Sequence, residues 1–377
     1  MRRLLRVLRD EPNNHDHCVA ADDPATDQAA LVPRVEETRS AISDSMRSAG
    51  ISSGQFALQR FDGSSVAFAV GEARPGVALT TSSEARLLCA GKPLLAIAFA
   101  QAVSDGDVSL ATPLRELMPE LTHVDRGVVV GDLLCHSARF GADPLAEALL
   151  PVKGRPETLK LLVDNAHCFK ADRRRARYSI WTAWTLLEEA FRRATGVAFT
   201  EWGTSFARRA GLPSMRFGCA PADGVAVSWM ETDSGLRPPG AFDCSVHSNA
   251  YVSAMGIRSS ASDLARLYWL IATDQLPGPE VDVLRAMRCR HSAVEDGSIE
   301  WGYGFLLSVQ SFAPRFSSSS FGHFAEAAAG LVDPRAEVSV AITLSRHGDW
   351  RERNLSSVLR QLVRIPSVPP RRSGLAC

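Results

Sequence analysis

The stretch LLCAGKPLLAIAFAQAVSDGDVSL, residues 87–110, sets a cysteine three positions before a lysine where an apolar helical pattern begins. Three residues is close to one helical turn, so Cys89 and Lys92 would share a face and lie within reach of each other. Two chemistries fit a thiol in that place. It can pack in a core, as free cysteine often does. It can also act as a nucleophile, because a helix start and a neighbouring ammonium both favour the thiolate. The scarcity of lysine weighs on this choice: of 42 basic residues only four are lysines, at 92, 153, 160 and 170. An ammonium buried without a partner is costly, which favours the pairing of Lys92 with Cys89.

The rest of the composition narrows the class. The chain of 377 residues is 45% hydrophobic and 22% charged, which suits a globular protein with a substantial core. The net charge is +0, so no global field draws it to nucleic acid or to an anionic membrane. Eight cysteines lie at 18, 89, 135, 168, 219, 244, 289 and 377, with no C-x-x-C pair and no zinc-like spacing. Their scatter fits free thiols in a reducing cytoplasm. The opening MRRLLRVLRDEP is interrupted by Arg6 and Arg9 before a signal-peptide core can form. The apolar run Leu94 to Val103 is too short to span a bilayer. A His15, Asp16, His17, Cys18 cluster lies in a polar leader, where a flexible segment without a fourth fixed ligand reads better than a metal site. No metal or cofactor is expected.

The elements that must hold Cys89 and Lys92 follow from periodicity. Residues 1–33 read as a mobile leader and 367–377 as a tail, with a single domain over 34–366. From Val35 an amphipathic helix runs to Gly50. QFALQRF and SVAFAVG read as a hairpin around Asp62-Gly63. Residues about 110–300 are mainly helical in pattern, with DLLCHS, ETLKLLVDNA, SIWTAWTLLEEAFRRATG and SASDLARLYWLIATD. Strand-like runs return in YGFLLSVQSF, FSSSSFGHFAE and AEVSVAITLSR, before a last helical segment RNLSSVLRQLVRI. Strands at both ends with helices between them predict an α+β fold: an antiparallel sheet flanked by N- and C-terminal helices, plus a helical subdomain.

Five phrases together resemble the serine β-lactamase and penicillin-binding-protein superfamily, on its class C and esterase-like branch. CAGKPLLAIAFAQAVSDGDVSLATPLRELMPEL matches that family's nucleophile-x-x-Lys helix and the phrase after it. VVVGDLLCHSARF, RYSIWTAWTLLEEAFRRATGVAFTEW, AMGIRSSASDLARL and FGHFAEAAAG follow in the family's order. The resemblance spans about Val35 to Val363. It implies that Cys89 sits where the family has its nucleophilic serine, with Lys92 kept and Tyr178 as a proton shuttle. It also implies an oxyanion hole made by the Cys89 N–H and a backbone N–H near Glu326, just after His323, a residue that would line the pocket.

The departures bear on substrate. Ile180 stands at the Asn of Tyr-x-Asn, Ala325 at the Gly of the last strand motif, and Arg139 at a Gly after His136. Together with the interrupted N-terminal run, they argue against penicillin or peptidoglycan-stem recognition. His136 reads as part of a structural turn, and Arg139 as a solvated side chain. The run RRRAR at 173–177 reads as a solvated loop, though beside the site it would suit an acidic carrier protein. The expectation is a cysteine-nucleophile acyltransferase, or an amide-forming or amide-cleaving enzyme, working through a thioester in a biosynthetic pathway. Its substrate would be a small-molecule or peptidyl acyl group, free or carrier-bound. A hydrolase of esters or amides and a catalytically inactive binding protein are the alternatives.

Overall fold

The structure, a computed structural model, describes residues 25–48, 51–140, 159–160, 162–164, 167–169, 175–179, 181–218, 230–232, 235–237, 252–295, 297–309, 316–325 and 327–345. Its centre is an eight-stranded antiparallel sheet built from both ends of the chain. Strands β1 (Gly54–Arg60) and β2 (Ser65–Val70) form the expected hairpin, with Gly63 at φ 88 in the turn. Ala85–Arg86 (β3), Arg216–Phe217 (β4) and Ile257–Ser259 (β5) form a separate small sheet, with Ile257–Ser259 in its middle. The large sheet continues through β6 (Ser292–Ala293), β7 (Glu300–Trp301), β8 (Leu306–Leu307), β9 (Phe321–Phe324), β10 (Ala328–Asp333) and β11 (Val338–Leu344). Its order is β6-β7-β8-β9-β10-β11-β1-β2. The last strand therefore pairs with the first, Gly54 opposite Leu344 and Arg60 opposite Val338.

Side-chain size alternates along these strands and decides what packs on each face. Phe56, Leu58, Val340 and Ile342 point to one side, where Ile42 and Met46 of helix α1 (Ala25–Ser48) cover them. The opposite face carries smaller residues, Ala57, Ala341, Ser339 and Gly330, so a helix can approach closely. That helix is α5 (Ala261–Ala272), whose Tyr268 lies so near Gly330 that an added Cβ would meet the ring at 2.2 Å. The Ser339 hydroxyl donates to the Ala265 carbonyl at 2.8 Å. Next along the same face lie α2 (Pro93–Asp105), α3 (Thr182–Thr195) and α4 (Phe199–Ala210). The α2 helix is apolar all round and buried on nearly every side, as a central helix should be. Gly106 and Gly196, both with left-handed φ, end α2 and α3.

Three expectations change. Helix α1 begins at Ala25, inside the stretch read as leader: ATDQAALVP has no apolar period, but its alanines favour a helix. FSSSSFGHFAE is a strand only over Phe321–Phe324, because its serines form a turn in which Ser320 N–H donates to Ser317 O at 3.1 Å. Ala328–Asp333, not anticipated, is a strand inside the large sheet, where burial on both faces overrides the weak strand preference of Ala and Gly. Within about 110–300 the helices come with short strands besides. The segment RNLSSVLRQLVRI, the tail and the His15–Cys18 cluster lie outside the described residues. No helix among the described residues is long and apolar enough to cross a membrane.

Candidate active site

Strand β3 runs directly into a 3-10 turn, Leu88–Gly91, and then into α2. The Leu87 N–H donates to Ile257 O at 3.0 Å, which ties the entrance of the turn to the small sheet. Leu88, immediately before Cys89, has φ 46. A leucine in the left-handed region is strained, and such strain gathers at functional sites. The loop that leads into β3 is held by Gln55 of β1, a residue sequence reading passed over. Its amide nitrogen donates to Thr80 O at 2.6 Å and Ser83 O at 2.7 Å. Its amide oxygen accepts from Ala261 N–H at 3.1 Å and Thr343 Oγ1 at 2.9 Å. One buried side chain thus fixes the loop before β3, the start of α5 and a central strand.

The expected pair is in contact. Lys92 Nζ donates to Cys89 Sγ at 3.0 Å, and Lys92 is 0% exposed. Its ammonium also lies 5.0 Å from the Tyr178 ring centre and 5.6 Å from that of Trp184, which offsets part of the cost of burial. Cys89 itself is half-buried. Tyr178 completes the group. Although 37% of the residue is open to solvent, its hydroxyl is turned to the Cys89 sulfur. Burial, the charge of Cys89 and the hydrogen bond to it hold the phenol well above its usual pKa. The Tyr178 phenol is therefore held in its neutral, protonated form.

Two buried histidines and two tryptophans make the wall. His323 on β9 is 2% exposed and has its ring Nδ1 2.9 Å from Phe324 O. Because a carbonyl can only accept, Nδ1 carries the hydrogen. Burial, and then the Lys92 ammonium, lower its pKa to about 3 against the pull of that bond. His136 is 1% exposed and has φ 57; burial, Lys92 and His323 together push it well below the ordinary 6.5. Trp301 of β7 stacks on Tyr178 at 5.5 Å and stands 4.6 Å from His136 and 5.4 Å from His323, centre to centre. Trp184 comes from α3, 5.7 Å from the His136 ring.

Of the residues expected at the site, the structure brings together Cys89, Lys92, Tyr178 and His323. Ala325 packs against the main core, and its N–H is spent on Ala328 O at 2.7 Å within the β9–β10 turn. Ile180 and Glu326 lie outside the described residues. His136, read as a turn residue, is both a turn residue and part of the wall. Arg139 and Arg177 are exposed, and Arg175 pairs with Glu295 at 3.3 Å. Trp184, Trp301 and Gln55 escaped sequence reading. The helical pattern of SIWTAWTLLEEAFRRATG placed Trp184 in a helix, but nothing local says that a tryptophan faces a lysine from another element.

The sequence model of a family described as Beta-lactamase matches residues 38–363. Among solved structures, the chain is similar to EstCE1, described as a hydrolase with promiscuous acyltransferase activity. That match covers 89% of this chain and 100% of EstCE1, with a TM-score of 0.73 at 16% identity. It is also similar to the simvastatin synthase LovD from Aspergillus terreus, over 88% of this chain and 98% of that one, with a TM-score of 0.72 at 13% identity. A penicillin-binding protein homolog from Caulobacter crescentus matches over 87% and 96%, with a TM-score of 0.70 at 19% identity. Identities this low establish a common fold. No curated protein matches the sequence.

Proposed function

Since the chain belongs to the beta-lactamase family, we propose that it is an acyl-transfer enzyme of that fold in which Cys89 is the nucleophile. The observation that carries this reading is the contact of a fully buried ammonium, Lys92 Nζ, with Cys89 Sγ at 3.0 Å. A core thiol needs no such partner, and a buried ammonium needs one. Lys92 stabilises the thiolate, which attacks the carbonyl carbon of an ester, amide or thioester. The carbonyl oxygen becomes an oxyanion as the C–S bond forms. The first N–H groups of a helical turn have no partner within it, so the Cys89 N–H is one donor for that oxyanion. Collapse restores the carbonyl and breaks the bond to the leaving group, which takes the Tyr178 proton.

A thioester on Cys89 and a Tyr178 phenolate remain. The phenolate accepts a proton from the incoming nucleophile as it attacks, and the second collapse returns the thiolate to Lys92. Thioesters exchange onto thiols at almost no free-energy cost and yield readily to amines. A cysteine at this position therefore favours transfer to an amine or thiol over hydrolysis, which fits a biosynthetic role and a reducing compartment such as the cytoplasm. The acyl donor in this reading is a small-molecule or peptidyl group, free or on a carrier protein. Hydrolysis is the same chemistry with water as acceptor, and EstCE1 carries both descriptions.

Intact-protein mass spectrometry with acyl thioesters tests the reading. The wild type should gain one acyl group and lose it on addition of an amine, with the amide as product. Cys89→Ala should gain none, and Cys89→Ser should acylate more slowly, since a hydroxyl is a weaker nucleophile than a thiol at neutral pH. Acylation persisting in Cys89→Ala would remove Cys89 from the mechanism. Free acid as the sole product would make the enzyme a hydrolase, and a wild type that never acylates would make it a binding protein.

A further inference from the structure

Tyr178 is the one reacting group that neither helix nor sheet holds. It sits in the irregular stretch 175–179, and 37% of its surface is open, so packing alone does not place it. Upstream, the stretch is tied to edge strand β6, where Ala176 N–H donates to Ala293 O at 2.7 Å. On either side of Tyr178 the next bonds go to one residue. The Arg177 N–H donates to His136 O at 2.7 Å, and the Ser179 N–H donates to His136 Nδ1 at 3.3 Å. The His136 ring also lies 4.5 Å from the tyrosine ring. His136 is in turn held between Trp301 at 4.6 Å and Trp184 at 5.7 Å.

We propose that His136 is the positioning residue for Tyr178, clamping the backbone before and after it so that the phenol points at the Cys89 sulfur. The inference rests on the reading of Tyr178 and Cys89 as reacting partners, and it assigns the residue that makes them so. Two properties suit histidine to the task. Its φ of 57 lies in the left-handed region, which His, Asn and Asp tolerate better than other side chains. Its Nδ1 accepts the Ser179 N–H, which fixes the ring proton on Nε2. Asparagine shares both the backbone tolerance and an acceptor at the same position from Cβ. Glycine shares only the first.

The test is a double-mutant cycle read at Cys89, as the rate of alkylation by iodoacetamide at neutral pH, resolved by peptide mass spectrometry. Buried Cys135 and Cys168 report on loosening of the fold, and exposed Cys289 serves as the reference thiol. Tyr178→Phe should change the Cys89 rate by about fivefold, the size of one hydrogen bond. His136→Gly should change it equally, and His136→Gly with Tyr178→Phe should match Tyr178→Phe alone. His136→Asn should stay within about twofold of the wild type. The proposal is overturned if Tyr178→Phe leaves the rate unchanged, if His136→Gly behaves as wild type, or if the two effects multiply. Should His136→Gly expose Cys135 and Cys168, His136→Asn decides: a wild-type rate supports the clamp, and a Tyr178→Phe rate refutes it. The nucleophile reading fails separately, if wild-type Cys89 is alkylated no faster than Cys289. The coupling is a ratio among variants and is read either way.

Discussion

Cys89 and Lys92 were legible in the sequence because they are three residues apart, and one turn of helix is enough to bring them together. Tyr178 was legible only through family resemblance, since the stretch that carries it has no period. His136, Trp184 and Trp301 converge from a turn, a helix and an edge region, and no local pattern encodes that meeting. The histidines make a measurable difference to the folded state. His323 stays neutral down to about pH 3 in the fold, whereas an unfolded histidine takes its proton near 6.5. Between those values the unfolded chain binds more protons, so acid favours unfolding, and the stability is whole only above 6.5. The expected loss is about 1.4 kcal/mol per pH unit for each such histidine. Urea melts at pH 7.5, 6 and 5 should show it, and His323→Asn should flatten the dependence by one histidine's share.

Among the elements, α3 shows how a helix that carries a wall residue is anchored. Its last turn gathers Glu189, which is buried, with Arg192 at 2.6 Å and Arg193 at 2.8 Å. Arg193 extends to Glu120 at 3.0 Å. Burial alone would raise the Glu189 pKa, but the two guanidinium hydrogen bonds outweigh it and hold the carboxyl below 4.5. Its contribution is therefore present above pH 4.5 and fades as pH falls through the lower folded value. Glu189→Gln should cost about 2 kcal/mol at pH 7, and the difference from wild type should shrink in melts below pH 4.5. The helices and the first hairpin were readable from apolar spacing and Asp-Gly. Strand β10 was not, because Ala328 and Gly330 on its α5 face are small for closeness to that helix and not for strand preference. Gly330→Val should lower stability by about 1–3 kcal/mol, as the new side chain meets the buried Tyr268 ring. Calorimetry on the variant checks this.

At the scale of the molecule, the α+β class and the joining of the chain's two ends were readable, and the sheet order agrees with both. What the strand runs did not reveal was how much of the sheet comes from the last part of the chain: six of the eight strands follow residue 290. A chain stopped before Val338 loses the strand that β1 and β10 both pair with, and it should label at Cys135 and Cys168 under native conditions. The pairing of β11 with β1 also orders events in time. As the protein emerges from the ribosome, the Cys89 turn is made early, while His323 and the strand beside β1 come near the end. Until His323 and Val338–Leu344 are made the thiol lacks part of its wall, although Tyr178 and Trp184, the rings beside its lysine, are in the chain by about its midpoint. The site is thus completed only near the end of synthesis, and a ribosome-bound chain that stops before His323 carries Cys89 and Lys92 but lacks one wall of the pocket.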